Sequence, residues 1–168
     1  YNGVAILSRT PPRDIVKNIN GFSDEQSRVI AATLDTPQGE LRLVNGYFVN
    51  GQAPGTDKFE YKMRWLDGLR TWLKAELAAH PRLVVVGDFN ITMDDRDTYD
   101  AEGLRETIHH TTEEREHLKA LLGLGLHDAF RLFEQPEKSY SWWDYREFAF
   151  RRNRGLRIDY ILVSDTLR

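Results

Sequence analysis

The sequence predicts an α/β sandwich in which most strands are antiparallel. Strand-like segments outnumber helical ones, and they often follow each other directly along the chain, which is unlike a regular βαβ array. The 168 residues correspond to one domain, and 40% of them are hydrophobic, which is enough to form a sizeable core. We therefore expect a single α/β domain over residues 1–168.

The strands are predicted from short apolar runs rich in β-branched residues. Thr36-Pro37-Gln38-Gly39 is typical of a turn, so the runs on either side of it form a hairpin. The run Val84-Val85-Val86 predicts a central strand, and a loop begins at Asp88. The expected extended segments are 3–8, 28–35, 40–48, 83–87, 139–145 and 156–164.

Two segments are predicted to be helical. Residues 57–79 carry apolar side chains at three- and four-residue steps, which gives one apolar stripe, and His80-Pro81 ends the segment. Thr111 and Glu114 fit a capping box for a second helix that runs to about residue 122. The acidic stretch 94–100 is predicted to be a loop.

Composition excludes several classes of function. The chain has no cysteine, so it has no disulfide, thiol nucleophile or thiolate metal site, which fits a reducing, cytoplasmic location. It lacks an apolar run of about 18 residues, so no membrane association is expected. The net charge of −3 restricts any nucleic-acid contact to a local patch. No apolar stripe is left uncommitted, so we expect a monomer.

Both ends of the sequence lie close to apolar runs. The chain begins at Tyr1 without an initiator methionine, and it ends at Arg168 just after the last predicted strand. We expect both ends to be cuts through a larger unit.

Asp88 and Asn90 are the first candidate site residues. They follow the Val84–Val86 run, and strand ends are where α/β proteins place functional side chains. Residues two apart in extended backbone point to the same side, and a carboxylate beside an amide suits a hard cation or a water held for attack. The alternative is an ordinary turn, since Asp and Asn are common there.

Asp159 and Tyr47 are candidates of a second kind. Asp159 interrupts an apolar strand, where a carboxylate is costly unless it is paired or lies at a site. It would either orient a histidine or a water, or pair with an arginine such as Arg154 or Arg157. Tyr47 ends a predicted strand, and its hydroxyl would either contact a phosphate or be satisfied in the core.

The segment from Ser139 to Arg157 combines aromatic and basic side chains. Trp142 and Trp143 precede five arginines, a pattern that suits stacking on a base or sugar with guanidinium groups on phosphates. The alternative is core tryptophan beside a solvated basic loop. The five histidines match no metal-binding pattern and are interpreted as structural or surface residues: His80, His109, His110, His117 and His127.

Taken together, these segments resemble the exonuclease III family of apurinic/apyrimidinic endonucleases, within the endonuclease/exonuclease/phosphatase superfamily. Gly87-Asp88-Phe89-Asn90 is shared across that superfamily. More specific to the DNA-repair branch are Ser141-Trp142-Trp143-Asp144-Tyr145-Arg146 and Gly155-Leu156-Arg157-Ile158-Asp159. Further matching stretches are 3–8, 28–30 and 45–51. They occur in the family's order over essentially the whole chain.

The resemblance implies a four-layer α/β sandwich, a DNA-repair phosphodiester hydrolase and a cofactor, Mg²⁺ or Mn²⁺. Asp88 would be the general acid or base, and Asn90 would hold the scissile phosphate. Asp88 and Asn90 would also be the metal-binding residues. Tyr47 would contact the phosphate, and Asp159 would orient a catalytic histidine. The implied DNA-binding residues are Arg28, Asn50, Trp142, Arg146, Leu156 and Ile158.

The implied substrate is double-stranded DNA with abasic sites or 3′ ends, incised 5′ to the abasic site or degraded from the 3′ end. The family's N-terminal metal-binding glutamate and its C-terminal Ser-Asp-His have no match in this sequence, so we expect the domain to lack both terminal segments. Two alternatives stay open: a superfamily phosphatase or sphingomyelinase acting on another phosphate ester, and a non-catalytic DNA-binding remnant.

Overall fold

The computed structural model describes residues 2–168. Two α-helices and a series of mostly short strands are defined within that range. The elements are β1 (Arg13–Lys17), β2 (Val29–Thr36), β3 (Gly39–Tyr47), α1 (Asp57–Ala79), β4 (Leu83–Asp88), α2 (Thr112–Leu122), β5 (Leu126–Asp128), β6 (Trp142–Trp143), β7 (Gly155–Leu156) and β8 (Asp159–Ser164).

Six of the strands form one sheet in the order β1-β2-β3-β4-β8-β5, while β6 and β7 form a separate two-stranded sheet. Within the large sheet β3 and β4 are parallel and every other neighbouring pair is antiparallel. Helix α1 supplies the long connection that a parallel pair requires. The predicted α/β class with mostly antiparallel strands is confirmed.

The core lies between one face of the large sheet and the two helices. Alternate residues of β4 illustrate this, because Leu83 and Val85 are fully buried whereas Val84 and Val86 are only partly buried. On β8 the residue Ile161, which faces away from the helices, is 54% exposed. The helices thus cover one face of the sheet. The opposite face is not covered by them and carries a solvent-accessible pocket, which is described below.

Aromatic residues fix the ends of β3 and β4 to this core. Phe48 and Phe89 directly follow the two strands, are fully buried and stack with ring centroids 4.1 Å apart. Trp65 of α1 packs edge-on against Phe48 at 5.1 Å. Because these rings are locked into the core, Tyr47 and Asp88, which precede them, are held at fixed positions.

Most predicted elements are confirmed. Helix α1 has the predicted bounds, with Thr56 as its N-cap, and α2 begins with the predicted capping box of Thr111 and Glu114. The predicted strand over 156–164 is two strands, β7 and β8, that belong to different sheets. The acidic loop contains a short 3₁₀ helix at Asp95–Asp97.

The predicted strand over residues 3–8 is wrong. Among residues 2–168 this segment joins no sheet, and Leu7 is 96% exposed. A side-chain hydrogen bond connects it to the large sheet, in which Asn45 Nδ2 donates to the carbonyl of Ala5 at 2.9 Å. A strand requires ladder hydrogen bonds to a neighbour, and its apolar composition alone does not supply them.

No helix among the described residues is long and apolar enough to cross a membrane.

Gly87 is expected to be essential to the pairing of β3 with β4. Its φ is +134°, and a Cβ there would lie 1.9 Å from the carbonyl oxygen of Gly46 on β3. We expect Gly87→Ala to destabilise the chain by about 3 kcal/mol or more, measured by urea unfolding. Gly39→Ala is the matched control, since Gly39 also has a positive φ (+111°) but open space around it. Equal losses for both variants would contradict this account.

Candidate active site

Three of the predicted site residues lie side by side on neighbouring strands. In the parallel pair, Tyr47 of β3 is the register partner of Asp88 of β4. In the antiparallel pair, Asp88 is the register partner of Asp159 of β8. Neighbouring strands are about 4.8 Å apart, so residues far apart in sequence form one short row across the sheet.

Asp88 and Asp159 line a common pocket of about 670 Å³ on the face that the helices leave open. Val86 and Ile161 form part of its apolar wall, and Tyr140 closes one side. The pocket is large enough for a small polar group next to both carboxylates, within a mostly apolar surround.

The carboxylate of Asp88 is bound by its neighbour Asn90. Oδ1 accepts from the Asn90 backbone N–H at 2.9 Å, and Oδ2 accepts from Asn90 Nδ2 at 3.4 Å. Burial and, to a smaller extent, the nearby Asp159 carboxylate together raise the pKa of Asp88 to about 6, against the opposing effects of the Asn90 hydrogen bond and Lys62. Asp88 is therefore ionised at neutral pH and close to the pKa that suits a general base.

Asn90 is buried and held on all sides. Its backbone is left-handed, with φ +52°. Nδ2 donates to the Phe48 carbonyl at 3.1 Å, and Oδ1 accepts from Asn50 Nδ2 at 3.3 Å. Its carbonyl oxygen lies 2.7 Å from Lys62 Nζ and 2.6 Å from His109 Nδ1. The carboxamide is thus fixed beside Asp88.

His109 supports this arrangement as a neutral donor. Burial lowers the pKa of His109 to about 4, so the ring is uncharged at neutral pH. Because its partner is a carbonyl oxygen, Nδ1 carries the proton. The hydrogen bond from His109 to the Asn90 carbonyl is a structural contact, as the interpretation of the histidines as structural or surface residues expects. Its partner, however, is a candidate site residue.

Among residues 2–168, no arginine pairs with Asp159. Its backbone N–H and that of Ile158 both donate to Ser141 Oγ at 3.1 Å, and partial burial raises the pKa of its carboxyl. Arg157 instead contacts Asp97 and Asp128, each at 2.7 Å. The suggested pairing of Asp159 with Arg154 or Arg157 is wrong, because Arg154 pairs with Glu147 at 3.8 Å and Arg157 pairs with Asp97 and Asp128.

Tyr47 is half-buried, and its hydroxyl forms no hydrogen bond with any residue in the described range. The guanidinium of Arg28 lies over its ring at 5.6 Å from the centroid and donates to its carbonyl at 3.4 Å. Arg28 and Asn50 line a polar cleft of about 640 Å³ together with Lys58 and Arg64. The phenol therefore stands beside a cationic cleft with its hydroxyl available to a ligand.

The structure brings together only some of the implied DNA-binding residues of the segment 142–158. Trp142, Arg146 and Leu156 line one pocket of about 470 Å³, which His109 also borders. Ile158 is 4% exposed and does not line that pocket. Trp142 is 43% exposed, which rules out the alternative of a core tryptophan at this position.

Sequence reasoning missed Lys62. The side chain of this lysine on α1 is fully buried and pairs with Glu114 of α2. A signal was present in the sequence, because Lys62 lies between Phe59 and Met63 on the apolar stripe of the helix, where a charge is out of pattern.

Sequence reasoning also missed the partner of Arg157. Asp97, in the acidic loop, is fully buried and accepts from Arg157 Nε and from Arg131 at 2.7 and 2.8 Å. The arrangement fixes the loop against the start of β8. Nothing in the local sequence distinguished Asp97 from the exposed acids around it.

The chain belongs to the Endonuclease/Exonuclease/phosphatase family, which it matches over residues 1–168. Exodeoxyribonuclease III of Haemophilus influenzae is 36% identical over 99% of this chain, and the chain covers 66% of that protein. The resemblance to the exonuclease III group is thereby confirmed, and metal binding is general to the family.

Solved structures agree. A 3′ phosphatase from Neisseria, NExo, bound to a product DNA hairpin, is 41% identical with a TM-score of 0.90, covering 95% of this chain and 61% of that one. An AP endonuclease from Archaeoglobus fulgidus is 26% identical with a TM-score of 0.84, covering 94% of this chain and 60% of that one. The chain thus spans between 60% and 66% of the length of these relatives.

Proposed function

We propose that the chain carries the site of a DNA-repair phosphodiester hydrolase that incises 5′ to abasic sites and removes nucleotides from 3′ ends. The observation that carries this proposal is the row Tyr47, Asp88 and Asp159 on adjacent strands, with Asn90 bonded to Asp88. The names of the relatives, exodeoxyribonuclease III and AP endonuclease, support the same chemistry.

Each residue in the row has a role that its surroundings favour. Asp88, ionised at neutral pH, takes a proton from the attacking water or returns one to the leaving oxygen. Asn90 Nδ2 donates a hydrogen bond to a non-bridging phosphate oxygen. This bond replaces the long 3.4 Å hydrogen bond that Nδ2 donates to the Asp88 carboxylate. The free hydroxyl of Tyr47 donates to the same phosphate. Asp159 faces the pocket, where it orients a histidine or a water.

A divalent cation, Mg²⁺ or Mn²⁺, fits part of this site. Asp88 and Asp159 line the same pocket, where burial and then the Asp159 carboxylate raise the pKa of Asp88, and carboxylate oxygens suit a hard cation. Asp88 and Asn90 would hold it, and it would neutralise charge that develops on the phosphate. Among residues 2–168 the structure places no three His, Cys, Asp or Glu side chains together in a group that could hold a metal.

Double-stranded DNA is the proposed partner, bound by a monomer. Trp142 and Leu156 would accept a base-less sugar in their pocket, and Arg146 on its border would contact a phosphate. Arg28 and Asn50 would contact the strand along the polar cleft. Exposed aromatic residues extend the same surface: Tyr145, Phe148 and Phe150.

The test is cleavage of a duplex that carries one abasic site, with Mg²⁺ or with EDTA, by the protein and by its Asp88→Ala variant. We expect incision that needs Mg²⁺ and is lost in Asp88→Ala. No incision by the unsubstituted protein, with retained and salt-dependent DNA binding, would instead identify a non-catalytic binding protein. Faster hydrolysis of a non-DNA phosphate ester than of the duplex would favour a superfamily phosphatase or sphingomyelinase.

A further inference from the structure

Lys62 places a buried ammonium group between the two loops that carry the site. Its side chain is fully buried, and Nζ has three oxygen partners: the Glu114 carboxylate, the Asn50 carbonyl at 3.2 Å and the Asn90 carbonyl at 2.7 Å. An ammonium has three N–H donors, so each of them has an acceptor.

The two carbonyls belong to loops that follow β3 and β4. The same loops meet a second time through their side chains, where Asn50 Nδ2 donates to Asn90 Oδ1. Asn90 is also in left-handed backbone conformation, which is strained for a residue other than glycine unless its surroundings hold it. Lys62 is therefore one of the groups that keep the Asn90 peptide in place.

The surroundings fix the direction of the ammonium. One oxygen of Glu114 accepts from Thr111 Oγ1 at 2.9 Å in the capping box of α2, which leaves the other oxygen for Lys62. On the opposite side, a Cβ at Gly51 would lie 2.9 Å from Lys62 Cδ, so the lysine stem packs directly on the Gly51 backbone. The side chain has no room to swing away from the two carbonyls.

We infer that Lys62 is a positioning residue for the site, an inference that rests on the proposed function. By donating to the Asn50 and Asn90 carbonyls it sets the distance between these two peptides. Their side chains then meet the phosphate and the Asp88 carboxylate in the geometry that hydrolysis requires. An apolar pair of similar volume would avoid the desolvation cost of a buried ion pair but would lack these donors.

The decisive variant is the double substitution Lys62→Met/Glu114→Gln. Lys62→Met alone leaves Glu114 buried without a counter-charge and is prone to unfold. The double variant removes both charges, keeps a side chain suited to the capping box, and leaves the two carbonyls without the ammonium.

We expect kcat on the abasic duplex to fall about 10- to 100-fold with KM changed less than about threefold, because small misplacements of reacting groups act on the chemical step. Lys74→Met, at an exposed position of the same helix, should match the unsubstituted protein.

A second readout does not depend on cleavage. The side-chain amide resonances of Asn50 and Asn90 should shift in the double variant and stay unchanged in Lys74→Met. A double variant with unaltered kcat and unaltered amide resonances would overturn the inference, since Lys62 would then contribute only an ion pair. If the unsubstituted protein cleaves no DNA while these resonances shift as expected, the proposed function fails and the positioning by Lys62 stands.

Discussion

Replacing Asp88 by Asn is expected to lower the rate of DNA cleavage by about 10²- to 10⁴-fold, the range associated with loss of a general base. Asn at this position can still accept the 2.9 Å hydrogen bond from the Asn90 backbone, so the loop should keep its geometry. What the variant lacks is the negative charge and the ability to take up a proton. Single-turnover cleavage of the abasic duplex measures the loss directly.

The same variant has an expected signature in stability. Because burial raises the pKa of Asp88 to about 6 in the folded chain, the folded state holds its proton more tightly than the unfolded state between about pH 4 and pH 6. The stability of the unsubstituted protein therefore falls, relative to Asp88→Asn, as pH rises through this window, and the difference is constant above it. Allowing for partial solvent screening, we expect a gain of about 1–2 kcal/mol for the variant at pH 8.

Urea unfolding in EDTA at pH 4, 6 and 8 measures this difference, since a bound cation would itself lower the pKa of the carboxyl. A difference between the two proteins that does not change with pH would show that Asp88 has an ordinary pKa. Loss of cleavage without that pH dependence would leave the catalytic role standing and remove the argument from burial.

Replacing Asp97 by Ala is expected to destabilise the chain by about 3–5 kcal/mol, which is the usual effect of breaking a buried ion pair by removing one partner. Oδ1 of Asp97 accepts from Arg157 and Arg131, and Oδ2 accepts from the backbone N–H groups of Met93 and Asp94 at 3.1 and 3.2 Å. Removing the carboxylate leaves the buried guanidinium of Arg157 paired, within the described part of the chain, with Asp128 alone.

Asp95→Ala is the matched control for Asp97→Ala. Asp95 lies two residues away and forms a single ion pair with Arg115 at 2.8 Å, with its own side chain 59% exposed. We expect its loss to change stability by about 0.5 kcal/mol or less, as is common for surface pairs. Urea unfolding of both variants separates the two cases. Similar stabilities would mean that the Asp97 cluster contributes no more than a surface contact.

The elements that could be predicted are those whose hydrophobic pattern is decided within the element itself. The stripe along α1 gave its bounds, and the valine run identified β4 as a central strand. Strand β1 escaped notice because it is an exposed edge strand with no alternation to detect. The prediction for residues 3–8 is wrong for the opposite reason. Their apolar composition favours a strand, but strand pairing depends on a neighbouring strand.

The same distinction separates the candidate site residues that could be predicted from those that could not. Tyr47, Asp88 and Asp159 could be predicted as candidates because each is a polar residue at the end of an apolar run or within one, so that a local anomaly marks it. Lys62 and Asp97 could not be assigned, because the partners that bury them, Glu114 and Arg157, lie 52 and 60 residues away in sequence. Burial of a charge is a property of the packed chain, and the local sequence gives only a hint of it.

The strands differ greatly in length and in the number of neighbours they pair with. We therefore expect one part of the molecule to unfold locally rarely and another part to do so often. Strand β4 is paired on both sides, so we expect its backbone amides to exchange with solvent only when the whole domain unfolds. Residues 144–154 lie between the two-residue strands β6 and β7, so we expect their amides to exchange through local opening. The carboxylates of Asp88 and Asp159 thus belong to the rigid part, whereas the arginines and exposed aromatic rings of residues 144–154 belong to the adaptable part. A ligand held by that segment reduces its conformational entropy on binding, and rigidifying the segment in advance would strengthen the complex.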